Sequence, residues 1–340
     1  MNNQAAAATT RPSWETEAYD DTCCAHADRS IPEGDTTGEE QIAERHNALV
    51  LQRWAPGGAG VGTGVARGQR TVFIWDLDET IIIFHSLITG SFARKYDKDV
   101  VKATELGKQM EELLFRVLVT YFFYYDLSST TYQHISDILN AESKDDSLLS
   151  YSAPFAWGYN TMHSRSSSSL ASPPGGDDER WLAARYRKVE TLYVAHQHDT
   201  AALLGPNLRK NWRQLQENIE SFSERWLDVA RTCLSVIGAR LNCENVIVTS
   251  TRLLPALAKL LLYDFGAFFP IENVYSAAET GKKACFERIS LRFGRAANYL
   301  VLGNGKEEEA AATQLGIPHW KIACRYNLEM LYRALDANVM

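Results

Sequence analysis

Asp76 and Asp78 stand two residues apart in the run Thr71-Val72-Phe73-Ile74-Trp75-Asp76-Leu77-Asp78-Glu79-Thr80. The first five residues are β-branched or aromatic and read as a buried strand, which ends abruptly in acids. Ile81, Ile82 and Ile83 follow at once. Two carboxylates so close to a core are costly unless each charge finds a partner, and a divalent cation supplies one. Along an extended chain Asp76 and Asp78 project to the same side, so both can approach one Mg²⁺. The chemistry that fits is phosphoryl transfer. Asp76 is the candidate nucleophile, with the metal offsetting its repulsion from phosphate. Asp78 is the candidate acid that protonates the leaving oxygen and later activates water. Thr80 is expected to brace the turn through its hydroxyl. A plainer reading of these residues alone is an acidic strand-end turn, with Asp78 or Thr80 capping a helix.

The D-x-D-x-T pattern after an apolar strand is similar to the signature of the haloacid dehalogenase superfamily. The longer string Trp75-Asp76-Leu77-Asp78-Glu79-Thr80-Ile81-Ile82-Ile83-Phe84-His85-Ser86-Leu87-Ile88-Thr89-Gly90 resembles one branch of it, the Eyes absent family. Two further stretches extend the resemblance: Ala184-Arg185-Tyr186-Arg187-Lys188-Val189-Glu190-Thr191-Leu192-Tyr193 and Leu203-Leu204-Gly205-Pro206. It implies an α/β fold: a doubly wound, Rossmann-like parallel sheet carrying a large inserted all-helical cap. The implied division is a catalytic core over 69–95 and 242–340 and a helical cap over 96–241. Residues 1–68 precede it as a low-complexity, disordered segment.

The elements that must position the acids lie far downstream. Asn245-Val246-Ile247-Val248-Thr249-Ser250-Thr251 reads as a strand ending in three hydroxyls, ahead of an apolar helix over 253–263. Small hydroxyls there suit hydrogen bonds to phosphoryl oxygens, and Thr249 and Ser250 are the candidates; helix capping is the competing reading. Val274-Tyr275-Ser276-Ala277 leads to Gly281-Lys282-Lys283, which opens a helix. A lysine at a helix start works against the dipole. The resemblance gives Lys282 the role of holding nucleophile and phosphate together, with Lys283 a solvated neighbour. Tyr299-Leu300-Val301-Leu302 runs into Gly303-Asn304-Gly305-Lys306-Glu307-Glu308-Glu309. The family pattern has Asp, a Mg²⁺ ligand, where this chain has Asn304. An amide oxygen still ligates Mg²⁺, but the site loses a negative charge, and Glu308 or Glu307 is the candidate to compensate. A last strand is expected over 318–322 and a closing helix over 328–335.

Between the acidic strand and the hydroxyl strand, residues 85–92 should form a flap. An apolar stripe from Leu106 to Tyr121 predicts a helix, and 181–193 a basic amphipathic one. Trp212, Leu215, Ile219, Phe222, Trp226, Val229, Cys233 and Val236 keep steps of three and four, which predicts one long helix. Ser- and Pro/Gly-rich residues at 166–169 and 172–176 predict a loop. Upstream, a short helix is expected near 39–52, then a Gly-rich linker at 56–64. Cys23 and Arg29 fit the spacing of a thiol-phosphatase loop, but no strand, helix or glycine frames them, so coincidence is the better reading.

At 340 residues there is ample length for a core, with 45% hydrophobic and 23% charged residues. The net charge of −7 argues against direct nucleic-acid binding through a broad basic face. The 6 cysteines show no metal-ligand spacing and suggest a reducing compartment. No membrane-spanning run or signal peptide is apparent. The resemblance implies a Mg²⁺-dependent protein-tyrosine phosphatase acting on phosphotyrosine proteins, a histone tail among them. It also implies a transcriptional coactivator in nucleus and cytoplasm that docks Six-type homeodomain proteins. Two alternatives stay open: a binding module weakened in catalysis by Asn304, and a small-metabolite phosphatase.

Overall fold

The computed structural model describes residues 36–54, 69–142 and 177–340. The Cys23/Arg29 spacing, the Gly-rich linker and the loops at 166–169 and 172–176 lie outside the described residues. Helix α1 (Thr36–Trp54) precedes strand β1 (Thr71–Trp75). Between β1 and β2 (Cys243–Thr249) run α2 (Val100–Tyr121), α3 (Ile135–Glu142), α4 (Asp177–His196), α5 (Pro206–Phe222) and α6 (Trp226–Gly238). Helix α7 (Leu253–Leu262) then leads to β3 (Val274–Ser276), α8 (Gly281–Phe293), β4 (Asn298–Gly303), α9 (Lys306–Leu315), β5 (His319–Lys321) and α10 (Arg325–Asp336).

The strands form one parallel sheet in the order β3-β2-β1-β4-β5. β1 is central and wholly buried, which is why it carries no polar residue after Thr71. Its side chains alternate between two cores. Val72 and Ile74 join Phe286, Ile289, Ala311 and Ala312 of α8 and α9. Phe73 and Trp75 join the larger core with α6, α7, α10 and the helices between β1 and β2. Helices thus cover both faces, a doubly wound, Rossmann-like arrangement. The chain steps outward from β1 through β2 to β3 and then returns to β4 on the other side of β1. That reversal opens a crevice beyond the carboxyl ends of β1 and β4, where such sheets bind ligands.

Two local expectations are corrected. The single helix expected through 212–236 is two helices, α5 and α6, broken where Glu224 and Arg225 take left-handed backbone angles of φ 55° and 64°. The break lets each helix keep its own apolar face inward, and it brings the Trp226 indole to the Thr80 carbonyl at 3.0 Å. Residues 85–92 form no free flap either. One-turn helices His85–Ile88 and Ser91–Lys95 pack down with Leu87, Phe92 and Ala93 buried. The contact is so close that a β-carbon on Gly107 of α2 would sit 2.5 Å from the Ile88 nitrogen.

Helix α1 is longer than expected and lies along the outer edge of β5. Val50 and Trp54 are buried in the main core. The Asn47 amide donates to the Lys321 carbonyl at 2.8 Å and accepts from the Lys321 N–H at 2.8 Å. Among the described residues no helix is long and apolar enough to cross a membrane, and Cys233, Cys243, Cys285 and Cys324 are free thiols.

Candidate active site

The parallel ladder runs one residue past β1: the Asp76 N–H donates to the Leu302 carbonyl at 2.9 Å. Asp76 therefore leaves the sheet beside the Gly303–Asn304 end of β4. The Lys282 ammonium lies 2.9 Å from Asp76 Oδ1 and 2.7 Å from Glu308 Oε2. Lys282 and Glu308 are buried and Asp76 is nearly so, and the lysine's charge is offset by two acids largely away from bulk water. Local sequence explains how they converge. Gly281, at φ 76°, turns the chain into α8 and delivers Lys282 inward. Gly303 leaves room for Glu308, since a β-carbon there would press on Glu308 Cγ at 2.8 Å. Glu308 Oε1 also accepts from the Gly305 N–H.

Glu307 ties the same loops together from outside. Its Oε1 accepts from the Lys282 N–H at 3.1 Å and its Oε2 from the Ser250 hydroxyl at 3.2 Å. Burial pushes the Asp76 carboxyl up to about 7; Lys282 pulls it down, while Glu308 and Asp78 raise it further. Burial also opposes the charge on Glu308, yet Lys282 and the Gly305 N–H hold that carboxyl below its ordinary value. Burial opposes the lysine charge as well, but Asp76 and Glu308 together raise its pKa. The two acids thus share one cation unequally, and Asp76 is left undercompensated.

Asp78 is gripped at both oxygens. Lys259 Nζ lies 2.7 Å from Oδ1, and the Thr251 hydroxyl donates to Oδ2 at 2.7 Å. Thr249 is buried, and its hydroxyl accepts the Thr251 N–H at 3.1 Å, shaping the loop from within. Thr80 is buried, and its hydroxyl has no hydrogen-bond partner among the described residues; its carbonyl, held by Trp226, does the bracing. Glu79, at φ 59°, accepts from the N–H groups of Phe84 and Ser86 at 3.1 Å each and so closes the turn that carries Asp78.

Asn304 is exposed at the mouth of the crevice. Asp76, Asp78 and Asn304 offer the oxygen donors a hard divalent cation takes, and the undercompensated Asp76 is where a positive charge would help most. Among the described residues no three His, Cys, Asp or Glu side chains are grouped to hold a metal, so Asn304 would have to serve as the third donor. Arg252 and Leu253, just past the Thr249–Thr251 hydroxyls, line a shallow hollow with Tyr124, Tyr132 and Tyr186.

No protein-family model matches the chain. It is similar to human Protein phosphatase EYA2, with 44% identity over 268 residues, 78% of this chain and 49% of the relative. It is similar to Drosophila melanogaster Protein phosphatase eya at 41% over 275 residues, 78% of this chain and 35% of the relative. Gallus gallus Protein phosphatase EYA3 is 47% identical over 116 residues and is covered over 98% of its length. This chain belongs to the Eyes absent family. It spans about half or less of the length of the human and fly relatives.

For this Eyes absent chain, Asp76, Asp78, Lys282, Glu308, Thr249 and Ser250 all gather at the carboxyl edge of the sheet. Lys259 and Thr251 were not singled out by the sequence reading. Thr251 could have been found as the third hydroxyl of its strand. Lys259 left one signal: a lone charge inside an otherwise apolar helix.

Proposed function

We propose that this Eyes absent chain is a Mg²⁺-dependent, aspartate-based protein-tyrosine phosphatase of the haloacid dehalogenase type. The observation that carries the reading is Lys282 lying between Asp76 and Glu308, with Asp78 two residues on, at the crevice where ligands of such sheets bind. Relatives bearing the name protein phosphatase support it.

In this reading an Asp76 oxygen attacks phosphorus and the bond from phosphorus to the tyrosine oxygen breaks. Asp78 gives its proton to that leaving oxygen, and an aspartyl-phosphate remains on Asp76. Water then attacks the phosphoryl group, Asp78 takes a proton from it, the bond from phosphorus to the Asp76 oxygen breaks, and inorganic phosphate leaves. Lys282 offsets charge on the nucleophile and phosphate together, Ser250 and the loop N–H groups receive phosphoryl oxygens, and Thr249 holds that loop in shape. A bound Mg²⁺, held by Asp76, Asp78 and Asn304, would neutralise phosphate charge so that two anions can meet. Glu308, occupied by Lys282 and the Gly305 N–H, supports the site through that lysine.

Hydrolysis of a phosphotyrosine peptide, measured with and without Mg²⁺ beside Asp76→Asn, tests this. Metal-dependent release of phosphate that the variant lacks is the expected result; equal rates in both proteins would remove the proposal. A second reading rests on Asn304: a weak metal site would leave partner docking as the main activity. In that reading the chain is a coactivator in nucleus and cytoplasm, binding Six-type homeodomain proteins through its helices and touching no nucleic acid or membrane itself. Retention of such a homeodomain protein by catalytically dead Asp76→Asn would support it.

A further inference from the structure

All ten residues of α7 are buried, and Lys259 is the one charged residue among them. A leucine there would extend the apolar helix at no electrostatic cost, so the buried ammonium needs a reason. Removing such a charge from water is expensive, and a buried ion pair is a poor way to gain stability. The surroundings of Lys259 point to one recipient. Its Nζ lies 2.7 Å from Asp78 Oδ1 and 3.4 Å from the Thr251 hydroxyl, and 4.3 Å from the centroid of the Phe84 ring. Thr251, just ahead of the same helix, holds the other Asp78 oxygen. One helix and its lead-in thus grip both oxygens of one carboxylate, and Phe84 closes the far side of the lysine against water.

We infer that Lys259 is a positioning residue for phosphoryl transfer: with Thr251 it fixes the orientation of the Asp78 carboxyl for proton delivery to the leaving oxygen. This rests on the role given to Asp78 above. Among the described residues two lysines are buried, Lys259 and Lys282, with separate tasks. Lys282 serves the nucleophile, and Lys259 serves the group that handles the proton.

Leaving-group dependence separates this role from a merely structural one. A poor leaving group such as phenoxide depends on a well-placed proton donor, whereas nitrophenoxide depends on it far less. With Mg²⁺ present, Lys259→Met should therefore slow phenyl phosphate hydrolysis about tenfold or more beyond its effect on nitrophenyl phosphate. Lys259→Arg, which keeps the charge, should recover part of that gap. In the Asp78→Asn background, Lys259→Met should cost nothing further, because the group it positions no longer carries a proton. Equal losses for both substrates, no loss, or a further loss in the Asp78→Asn background would each overturn the inference. Should Lys259→Met alone fail to fold by circular dichroism, the comparison of Asp78→Asn with the double variant decides, since that pair strands no buried carboxylate. A wild type that hydrolyses neither phosphate would sink the phosphatase reading and this one with it. Turnover with an unchanged leaving-group ratio would sink this one alone.

Discussion

The Lys282 ammonium lies closer to Glu308 than to Asp76, 2.7 Å against 2.9 Å, although Asp76 is the residue proposed to attack phosphate. The lysine bridges a supporting acid and the proposed nucleophile. Lys282→Met would leave two buried carboxylates facing each other without a cation. Stranding buried charge in this way costs roughly 3–5 kcal/mol. Urea unfolding should show a loss of that order, along with loss of phosphatase activity. A stable but inactive variant would mean the lysine matters to chemistry alone.

Asn304 puts a neutral, exposed side chain at the crevice mouth. Asn304→Asp should tighten Mg²⁺ about tenfold or more, because charged oxygens hold this ion better than neutral ones. Magnesium-dependent rises in melting temperature report that affinity without any turnover. An unchanged midpoint in the titration would show that this position does not meet the ion.

The His319 imidazole is buried, with both ring nitrogens unpartnered among the described residues. Burial depresses its pKa from 6.5 to about 4, against weaker raising effects of Glu308 and Glu309. Below pH 6.5 the unfolded chain takes up a proton that the folded chain refuses. The histidine's contribution is thus fully present above 6.5 and fades as pH falls through 4. At 1.36 kcal/mol for each pH unit, the loss approaches about 3 kcal/mol. His319→Gln should flatten the fall in unfolding free energy between pH 7 and pH 4.5; an equally steep fall would place the acid sensitivity elsewhere.

Asn47→Ala removes both bonds from α1 to the Lys321 backbone. Two backbone groups then lose their partners, at a cost of about 1–3 kcal/mol each where water cannot replace them. The urea midpoint should fall accordingly. A midpoint that stays put would show that α1 is held by Val50, Trp54 and the His46 ring on the His319 carbonyl rather than by Asn47.

Much of the candidate site was legible because it sits where strands stop. Asp76, Ser250 and Asn304 each follow an apolar run, and alternation along β1 is a local property that sequence carries plainly. Gly281 marks a turn, and Gly303 a close approach by Glu308, that only a missing side chain permits. Lys259 was hidden for the opposite reason. Its neighbours are apolar all round, so no periodic face marks it, and its partner Asp78 lies 181 residues away in the chain. The break between α5 and α6 was hidden because the apolar spacing continues through Glu224 and Arg225, and neither is a residue that announces a left-handed turn. What displaces them is tertiary: the fit of Trp226 beneath Thr80.

The hold of Asn47 on β5 has a consequence for handling the molecule. A terminal strand with bare amides and carbonyls invites a neighbouring molecule to zip onto it, and here Asn47, with His46 on the His319 carbonyl, stands in for that missing neighbour. A fragment beginning at residue 69 would therefore keep every group proposed to meet phosphate and still be the stickier species, self-associating along β5 as concentration rises.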